Sequence, residues 1–467
     1  MILLRNIWHL ITMNDADDRL TGVDVLIDGA AIAAVGHDLD APDGVETFDC
    51  SSMIVFPGLV NLHHHFNQTL QRNVPSAQNL ELFDWLTSLY GIWRGMTAAE
   101  LRAGARLACA ELLLTGCTTS SDMMYLFPKS EGAELLDAEI GAARELGIRF
   151  HPTRGSLSLG QSSGGLPPDT VVEAPDVILA DSARLIDAYH DPAPFSMLRV
   201  ALAPNAPFSS SEELMRGTAE LARAKGVLLH THLAETEDEN AYCLKRYGVR
   251  PLELLRRLDW LGPDVFLAHG VHFTDEELDT LAETGTAVAH CPTSNMRLGS
   301  GVARVPAMLG RGVRVGLGVD GSASNDTSDM LGELRNCLLL HLLTGGSDAL
   351  SARDVFRMAT RGGADVLGRD ELGVVEPGRA ADVVAIDATR LGYAGALSDA
   401  RAALVYTGFD HRVDLSIVNG RVVVKDRRLT TADEAEIARD ANEASARMLE
   451  RAGLEAPPLP GDPHRAL

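Results

Sequence analysis

Three histidines stand in a row, His63, His64 and His65, at the end of the apolar run PGLVNL. Residues 58–62 are typical of a short buried strand, in which alternate side chains share a face. His63 and His65 are therefore expected to point the same way, with His64 on the other side. Two imidazoles on one face suit a transition-metal ion, most commonly Zn²⁺. The alternative is that these are loop histidines hydrogen-bonded to backbone, because short motifs often match by chance.

More candidate ligands follow later in the chain. The stretch VLLHTHLAE contains His230, His232 and Glu235. Its alternation places the two histidines on one face, with His232 at the outer end. Glu235 falls in the following loop, from which it could reach a substrate atom without binding the metal. The alternative for Glu235 is a helix-start carboxylate that interacts with backbone N–H groups.

Three further apolar runs end in residues of the same chemical types, namely His269, His290 and Asp320. Histidine is normally sparse, so its concentration at the ends of these runs favours a metal site over loop histidines. His290 is open to two interpretations, a further ligand or a buried histidine hydrogen-bonded to backbone, and we prefer the second.

These runs belong to a pattern that repeats through the middle of the chain. An amphipathic stretch ends at Gly and leads into a short apolar run, as in SEELMRGTAELARAKG followed by VLLHTH. Gly is the expected helix stop because it accepts the left-handed conformation. With the run before His63, the pattern gives eight strands alternating with helices, which predicts a (β/α)₈ TIM barrel over residues 57–371. In such a barrel the chemistry gathers where the strands end, which is where the candidate residues lie.

Short strands and turns dominate both flanks of this region. Residues 1–56 and 372–430 share that texture, so we expect one small composite β-sandwich domain formed by the N- and C-terminal segments. The barrel is expected to be inserted between them, since 467 residues exceed the size at which one core usually stops growing. Residues 431–467 are expected to form a C-terminal helical tail.

The composition argues against several classes of partner. With 65 acidic against 41 basic residues, the formal net charge of −24 repels phosphate polymers. Six scattered cysteines fit a reducing cytosol. No apolar run approaches the ~18 residues that span a bilayer, and the N-terminus carries charge too early for a signal peptide. We expect a cytoplasmic homo-oligomer that binds a small heterocyclic molecule and water, and neither nucleic acid nor membrane.

The motifs PGLVNLHHH, HTHLAE, LAHG and GVDGSASND, in that order, resemble the amidohydrolase superfamily. The flanking β segments resemble the composite domain of its deaminase and triazine-hydrolase branch, so the similarity covers nearly the whole chain. The resemblance implies that a divalent metal, most commonly Zn²⁺, is bound by four residues, namely His63, His65, His232 and Asp320. It also implies that Glu235 and His269 transfer protons. Binuclear members carry a bridging lysine on strand 4, and MLRVALAP has none, so one ion per chain is expected.

The reaction that this resemblance implies is hydrolytic deamination of an aminated aromatic heterocycle. Water attacks the amidine carbon while Asp320 takes a proton from it and Glu235 donates one to a ring nitrogen. His269 hydrogen-bonds the attacking oxygen, and the exocyclic amine leaves as ammonia.

Longer stretches narrow the implied substrate. NLHHHFNQTLQRNVPSAQNLELFDWL and RGSLSLGQSSGGLPPDTVVE are most similar to 8-oxoguanine deaminases, which implies conversion of 8-oxoguanine to uric acid and ammonia. Gln68 matches a glutamine that contacts the purine in related guanine deaminases. Asn205 stands where a cysteine is expected, so the ring substituent recognised there is open. Isoxanthopterin deaminase, guanine deaminase and s-triazine amino- or chlorohydrolase remain alternatives, as does a non-catalytic barrel that serves as a binding scaffold.

Overall fold

The computed structural model describes residues 1–129, 131, 134–407 and 409–456. The N-terminal segment contributes the strands β1 (Ile2–Ile7), β2 (His9–Ile11), β3 (Arg19–Leu20), β4 (Val23–Asp28), β5 (Ala31–Gly36), β6 (Glu46–Asp49) and β7 (Met53–Pro57). The central region contributes β8 (Leu59–Asn61), β9 (Cys117–Met124), β10 (Arg149–Ser156), β11 (Ala201–Pro204), β12 (Leu229–Leu233), β13 (Val265–His269), β14 (Ala287–His290) and β15 (Val315–Leu317). The C-terminal segment contributes β16 (Val383–Asp387), β17 (Leu415–Val418), β18 (Arg421–Lys425) and β19 (Arg428–Leu429).

Helices fill the intervals between these strands. In chain order they are α1 (Leu82–Trp93), α2 (Ala98–Leu114), α3 (Glu134–Leu146), α4 (Pro175–Tyr189), α5 (Glu212–Lys225), α6 (Glu237–Tyr247), α7 (Pro251–Arg257), α8 (Asp275–Thr284), α9 (Pro292–Arg297), α10 (Val305–Gly310), α11 (Ser322–Asn325), α12 (Met330–Gly345), α13 (Ala352–Arg357), α14 (Gly363–Val366), α15 (Ala400–Tyr406) and α16 (Glu434–Arg451). A single π-helical turn, Met358–Gly362, joins α13 to α14.

The central strands form a closed parallel barrel. Strands β8 to β15 pair in chain order, and each pair is parallel. The first and last strands are joined because the Leu62 N–H donates to the Leu317 carbonyl at 2.9 Å. Just beyond, the Asp320 N–H donates to the His63 carbonyl at 3.0 Å. The predicted (β/α)₈ barrel is therefore confirmed.

Local chemistry sets where the barrel helices begin and end. Helix α2 begins with a capping box, in which the Thr97 side chain accepts from the Glu100 N–H and the Glu100 side chain accepts from the Thr97 N–H. Helix α5 ends at Gly226, whose φ of 68° is left-handed. That turn redirects the chain into β12, the strand that carries His230 and His232.

The flanking segments form two packed sheets. One sheet has the order β5-β4-β1-β6, and the other has the order β19-β18-β17-β16-β7-β2-β3, which joins N- and C-terminal strands. Strand β7 pairs antiparallel with β16, so that Val55 lies opposite Ala385. Apolar side chains such as Val25 and Ile417 bury themselves between the sheets. The composite β-sandwich is thus confirmed, and the domain boundaries proposed from the sequence stay predictions.

A buried ion pair fastens the sandwich to the base of the barrel. Arg149, at the start of β10, donates through Nε and Nη2 to the two carboxylate oxygens of Asp382 at 3.1 and 2.9 Å. The Arg149 side chain is fully buried and that of Asp382 is 2% exposed. The remaining guanidinium nitrogen donates to the carbonyls of Phe195 and Ser196. Every charge in this joint therefore has a partner, as a buried charge requires.

Helix α16 lies within the predicted C-terminal tail and packs against α2. The last part of that tail, residues 457–467, lies outside the described residues. Within the described residues, none of the helices combines the length and the apolarity that crossing a membrane demands.

The buried joint yields a stability prediction. Asp382→Asn keeps the size of the side chain but leaves the Arg149 guanidinium buried without a counter-ion. We expect the free energy of unfolding, measured by chemical denaturation, to fall by about 3–5 kcal/mol. The matched control is Glu443→Gln, which removes one partner of the exposed Arg447–Glu443 pair and should change stability little. Equal stability of the two variants would contradict the structural importance of the buried pair.

Candidate active site

Four side chains from the sequence prediction meet at the carboxyl end of the barrel. His63 and His65 follow β8, His232 lies near the end of β12, and Asp320 follows β15. One carboxylate oxygen of Asp320, Oδ1, lies 3.4 Å from His63 Nε2 and 3.3 Å from His65 Nε2. His64 points to the other side, where its Nε2 lies 2.9 Å from Ser328 Oγ. The predicted alternation of the three histidines is what the structure shows.

The hydrogen bonds of the Nδ1 atoms determine the protonation states of the His65 and His232 rings. His65 Nδ1 lies 2.8 Å from the Met123 carbonyl, and His232 Nδ1 lies 2.7 Å from the Asn205 carbonyl. Since a carbonyl only accepts, both Nδ1 atoms must carry the proton. Burial and the nearby His63 lower the pKa of His65 to about 3, and burial lowers that of His232 well below its usual value, so both rings are neutral. Their Nε2 atoms, 3.1 Å apart, therefore face each other with lone pairs.

The same reasoning fixes the state of His63 through His230. His230 Nδ1 lies 2.8 Å from the Phe266 carbonyl and must donate, which leaves its Nε2 as an acceptor. His63 Nδ1 lies 2.8 Å from that atom and donates to it. His63 Nε2 is consequently a third lone pair, and it has no hydrogen-bond partner although it is buried.

Three nitrogen lone pairs and one carboxylate oxygen thus lie close together, since Asp320 Oδ1 lies beside His63 and His65 and His65 lies beside His232. A cluster of acceptors without a donor is repulsive unless a cation lies among them. Three imidazoles and one carboxylate suit Zn²⁺, which binds such nitrogen and oxygen ligands in tetrahedral geometry. The donor set fits one zinc-class divalent ion.

Glu235 and His269 lie beside this cluster. His269 Nε2 is 3.5 Å from Glu235 Oε2 and 3.9 Å from Asp320 Oδ2. Burial raises the pKa of the Glu235 carboxyl to about 7, which prepares it to hold a proton at neutral pH. The helix-start carboxylate is Glu239 instead, whose Oε2 accepts from the Glu235 N–H at 3.1 Å. The arrangement leaves the Glu235 carboxyl directed at the pocket rather than at the helix.

Several supporting residues were not predicted as part of the site. Asn295 Oδ1 lies 2.9 Å from His269 Nδ1, and Ser294 Oγ donates to Asp320 Oδ2 at 2.6 Å. Both belong to α9, directly after β14, so only their position beyond a strand end could have identified them from the sequence. His230 could have been identified more readily, because it shares a strand face with His232.

Two residues of the site have left-handed backbone conformations. The φ of His269 is 72° and that of Asp320 is 64°. Such conformations cost about 1–3 kcal/mol each in non-glycine residues and tend to cluster at functional sites. Both residues stand at strand ends, where the turn of the backbone directs their side chains into the barrel mouth.

A partly enclosed pocket lies above the cluster. Its apolar wall includes Trp85 and Leu86 from α1, and its polar lining includes Gln68, Tyr125 and Asn205. Gln68 Nε2 donates to the Tyr125 hydroxyl at 3.4 Å, while Gln68 Oε1 is buried without a partner. The Asn205 side chain already donates to Ser209 Oγ at 3.0 Å. The structure thus brings both predicted substrate residues to the pocket.

His290 does not join this site. It is fully buried at the end of β14, but its hydrogen-bond partner is His341, with the two Nε2 atoms 3.1 Å apart. The predicted hydrogen bond to backbone is wrong, since the His290 side chain has no backbone partner among the described residues.

Comparison with known proteins gives consistent results. The model of the family described as "Amidohydrolase family" matches residues 54–423. The chain is 43% identical to 8-oxoguanine deaminase of Pseudomonas aeruginosa, over 95% of this chain and 98% of the relative. It is 40% identical to hydroxydechloroatrazine ethylaminohydrolase of a Pseudomonas species, over 93% of each chain. The solved structure of atrazine chlorohydrolase from Arthrobacter aurescens TC1, complexed with zinc, superposes with a TM-score of 0.91 at 38% identity, and the match covers 95% of this chain and 100% of that one.

The facing lone pairs yield a prediction about metal content. The purified protein should carry about one zinc-class ion per chain, as measured by elemental analysis. Changing His63, His65, His232 or Asp320 to Ala should lower the metal content well below one ion per chain, because each change removes one of the four ligands. His37→Ala, at an exposed histidine outside the barrel, is the matched control and should retain the metal. Two tightly held ions, both required for turnover, would contradict a mononuclear centre.

Proposed function

Since the chain belongs to the amidohydrolase family, we propose that it is a zinc-dependent deaminase that converts 8-oxoguanine into uric acid and ammonia. It is a hydrolytic enzyme that acts on C–N bonds, as its deaminase relatives are. The alternative of a non-catalytic scaffold is therefore wrong. The family supports hydrolytic deamination of a heterocycle, and the choice of 8-oxoguanine is our proposal.

The observation that supports the proposal best is the cluster of hydrogen-bond acceptors beneath the pocket, which have no donor among them. We assign the metal to His63, His65, His232 and Asp320, since their free nitrogen and oxygen atoms face one another without a donor. A Zn²⁺ ion held by these residues would lower the pKa of a water molecule towards ~7, so that hydroxide would be available at neutral pH. His230 acts in support, because its acceptor nitrogen keeps the proton of His63 away from the cluster.

The neighbouring residues move the protons of the reaction. Asp320 accepts the proton that the attacking water loses. Glu235 donates a proton to the ring nitrogen next to the amidine carbon, which makes that carbon more electrophilic. His269 Nε2 hydrogen-bonds the oxygen that adds to this carbon, and Asn295 holds the ring of His269 in place. The exocyclic nitrogen then takes the proton held by Asp320 and leaves as ammonia, while the hydroxyl proton of the adduct returns to Glu235, so one water is consumed for each ammonia released.

The pocket supports a flat, polar, bicyclic substrate. Trp85 offers an aromatic surface against which a planar ring can stack. Gln68 Oε1 is an unpaired buried acceptor, and a ring N–H would satisfy it. Asn205 offers its side-chain oxygen and its second amide N–H to the substrate, because the bond to Ser209 Oγ uses only one N–H.

Hydrolysis of an amino-s-triazine is the second candidate. It is favoured by the 40% identity to hydroxydechloroatrazine ethylaminohydrolase and by the high structural similarity to atrazine chlorohydrolase. The same residues would serve this reaction, since it too displaces a substituent from an amidine carbon. Only the contacts to the ring differ, so kinetics with a panel of substrates separates the two.

Proton transfer by Glu235 can be separated from metal binding. Glu235→Gln keeps size and polarity but cannot donate a proton, so kcat should fall ~10²–10⁴-fold while the metal content stays normal. Because the acid acts only when protonated and its pKa is raised to about 7, kcat of the native enzyme should decline above that pH. The variant should lack this decline. Loss of the metal in the variant would instead make Glu235 a ligand.

The substrate can be tested by comparing rates. We expect 8-oxoguanine to have a higher kcat/KM than guanine, because guanine has only C–H at position 8 and leaves pocket groups unpaired. Each unpaired buried group costs ~1–3 kcal/mol, or roughly 10- to 100-fold in rate. Isoxanthopterin and an amino-s-triazine complete the panel, which is repeated with Asn205→Cys to test recognition at position 8. If either of these two compounds is turned over fastest by the native enzyme, 8-oxoguanine is not the substrate.

A further inference from the structure

We propose that His290, Cys337 and His341 form a second metal site, distinct from the active site, that takes a thiol-binding ion such as Zn²⁺. His290 is the last residue of β14, and the other two lie four positions apart on α12. Residues with that spacing project from the same face of a helix. One ligand atom from each of the three residues lies within 4.8 Å of the others.

The rest of the described structure makes little use of these donors. All three side chains are buried, and Cys337 is a free cysteine. His290 Nδ1 has no hydrogen-bond partner within the described residues, and the one hydrogen bond of the pair joins the two Nε2 atoms at 3.1 Å. A buried nitrogen without a partner destabilises the folded protein, so its presence here favours a role for the cluster beyond packing.

The protonation states suit an ion that displaces one proton. Burial holds the pKa of His290 well below its usual value and lowers that of His341 to about 4, so both rings are neutral. One Nε2 donates to the other in their hydrogen bond, and that proton moves to Nδ1 of the same ring when both Nε2 atoms bind the ion. Burial, together with Glu333, raises the pKa of the Cys337 thiol well above its usual value. Binding of a divalent ion breaks the S–H bond, forms the sulfur–metal bond and releases one proton to solvent.

The ligand types define which ion fits. One thiolate and two imidazoles form a softer set than the three imidazoles and one carboxylate of the active site. Such a set favours zinc and its spectroscopic substitute cobalt over magnesium or calcium, which prefer oxygen ligands. With three protein ligands, a tetrahedral ion keeps one position for water.

An ion at this site would be coupled to the active site over a short path. His290 is followed by Cys291 and then by α9, which carries Ser294 and Asn295. These two hold the Asp320 carboxylate and the His269 ring, respectively. A shift of His290 towards the ion moves the start of α9, so we infer that zinc beyond the first equivalent inhibits the enzyme.

The test uses the full chain loaded with excess Co²⁺ or Zn²⁺ and then dialysed. The native protein should bind two ions per chain, and its cobalt form should show a near-ultraviolet charge-transfer band, which requires a thiolate ligand. Cys337→Ser should lose the band and bind one ion, whereas Cys243→Ser, at a buried cysteine outside the cluster, should match the native protein. Asp320→Ala should keep the band, because it empties only the active site.

The site is refuted if the native protein binds a single ion without a thiolate band, or if the band persists in Cys337→Ser. His341→Gln provides a second variant should Cys337→Ser fail to fold, and it should lose the second ion as well. Only the measurement of inhibition by excess zinc rests on the proposed function. There, excess zinc should inhibit the native enzyme at least 10-fold more strongly than Cys337→Ser, and equal inhibition would refute the coupling while leaving the ion count to decide the site.

Discussion

Two imidazole nitrogens without protons face each other at 3.1 Å in the mouth of the barrel, and much of the structure serves to keep them there. The carbonyls of Met123, in β9, and of Asn205, directly after β11, hold the protons on the far side of each ring. These carbonyls are fixed by the barrel itself, so the strand order determines the protonation state of the ligands. The chemistry of the site is therefore built into the backbone as much as into its side chains.

The sequence was sufficient for the fold and for the set of residues that meet. Strand parity placed His63 and His65 on one face, and the repeated helix–Gly–strand pattern gave the closed barrel. The hydrogen bonds that support the site residues could not be predicted from the sequence. Their partners are neighbours only in the folded structure and stand at no regular spacing along the chain. The contact of His269 with Asn295 is one example.

The backbone conformations of His269 and Asp320 could not be predicted from the sequence either. Aspartate tolerates a left-handed conformation, but nothing in the sequence marks Asp320 as having one, and histidine at 269 gives even less indication. His290 illustrates the limit from the other side. Its strand position was read correctly, yet its partner, His341, lies on a helix much later in the chain.

The seam between the first and last barrel strands has a further consequence. His63 and Asp320 are joined there by a backbone hydrogen bond, and their side chains also face the same point. An ion bound by both residues would join the two ends of the barrel sequence, because His63 follows its first strand and Asp320 follows its last. Because the ion binds the folded state alone, it stabilises the closed barrel by mass action. The catalytic ion would then also hold the first and last strands of the barrel together. Once it is removed, amide hydrogens along this seam would exchange with solvent faster than those elsewhere in the barrel.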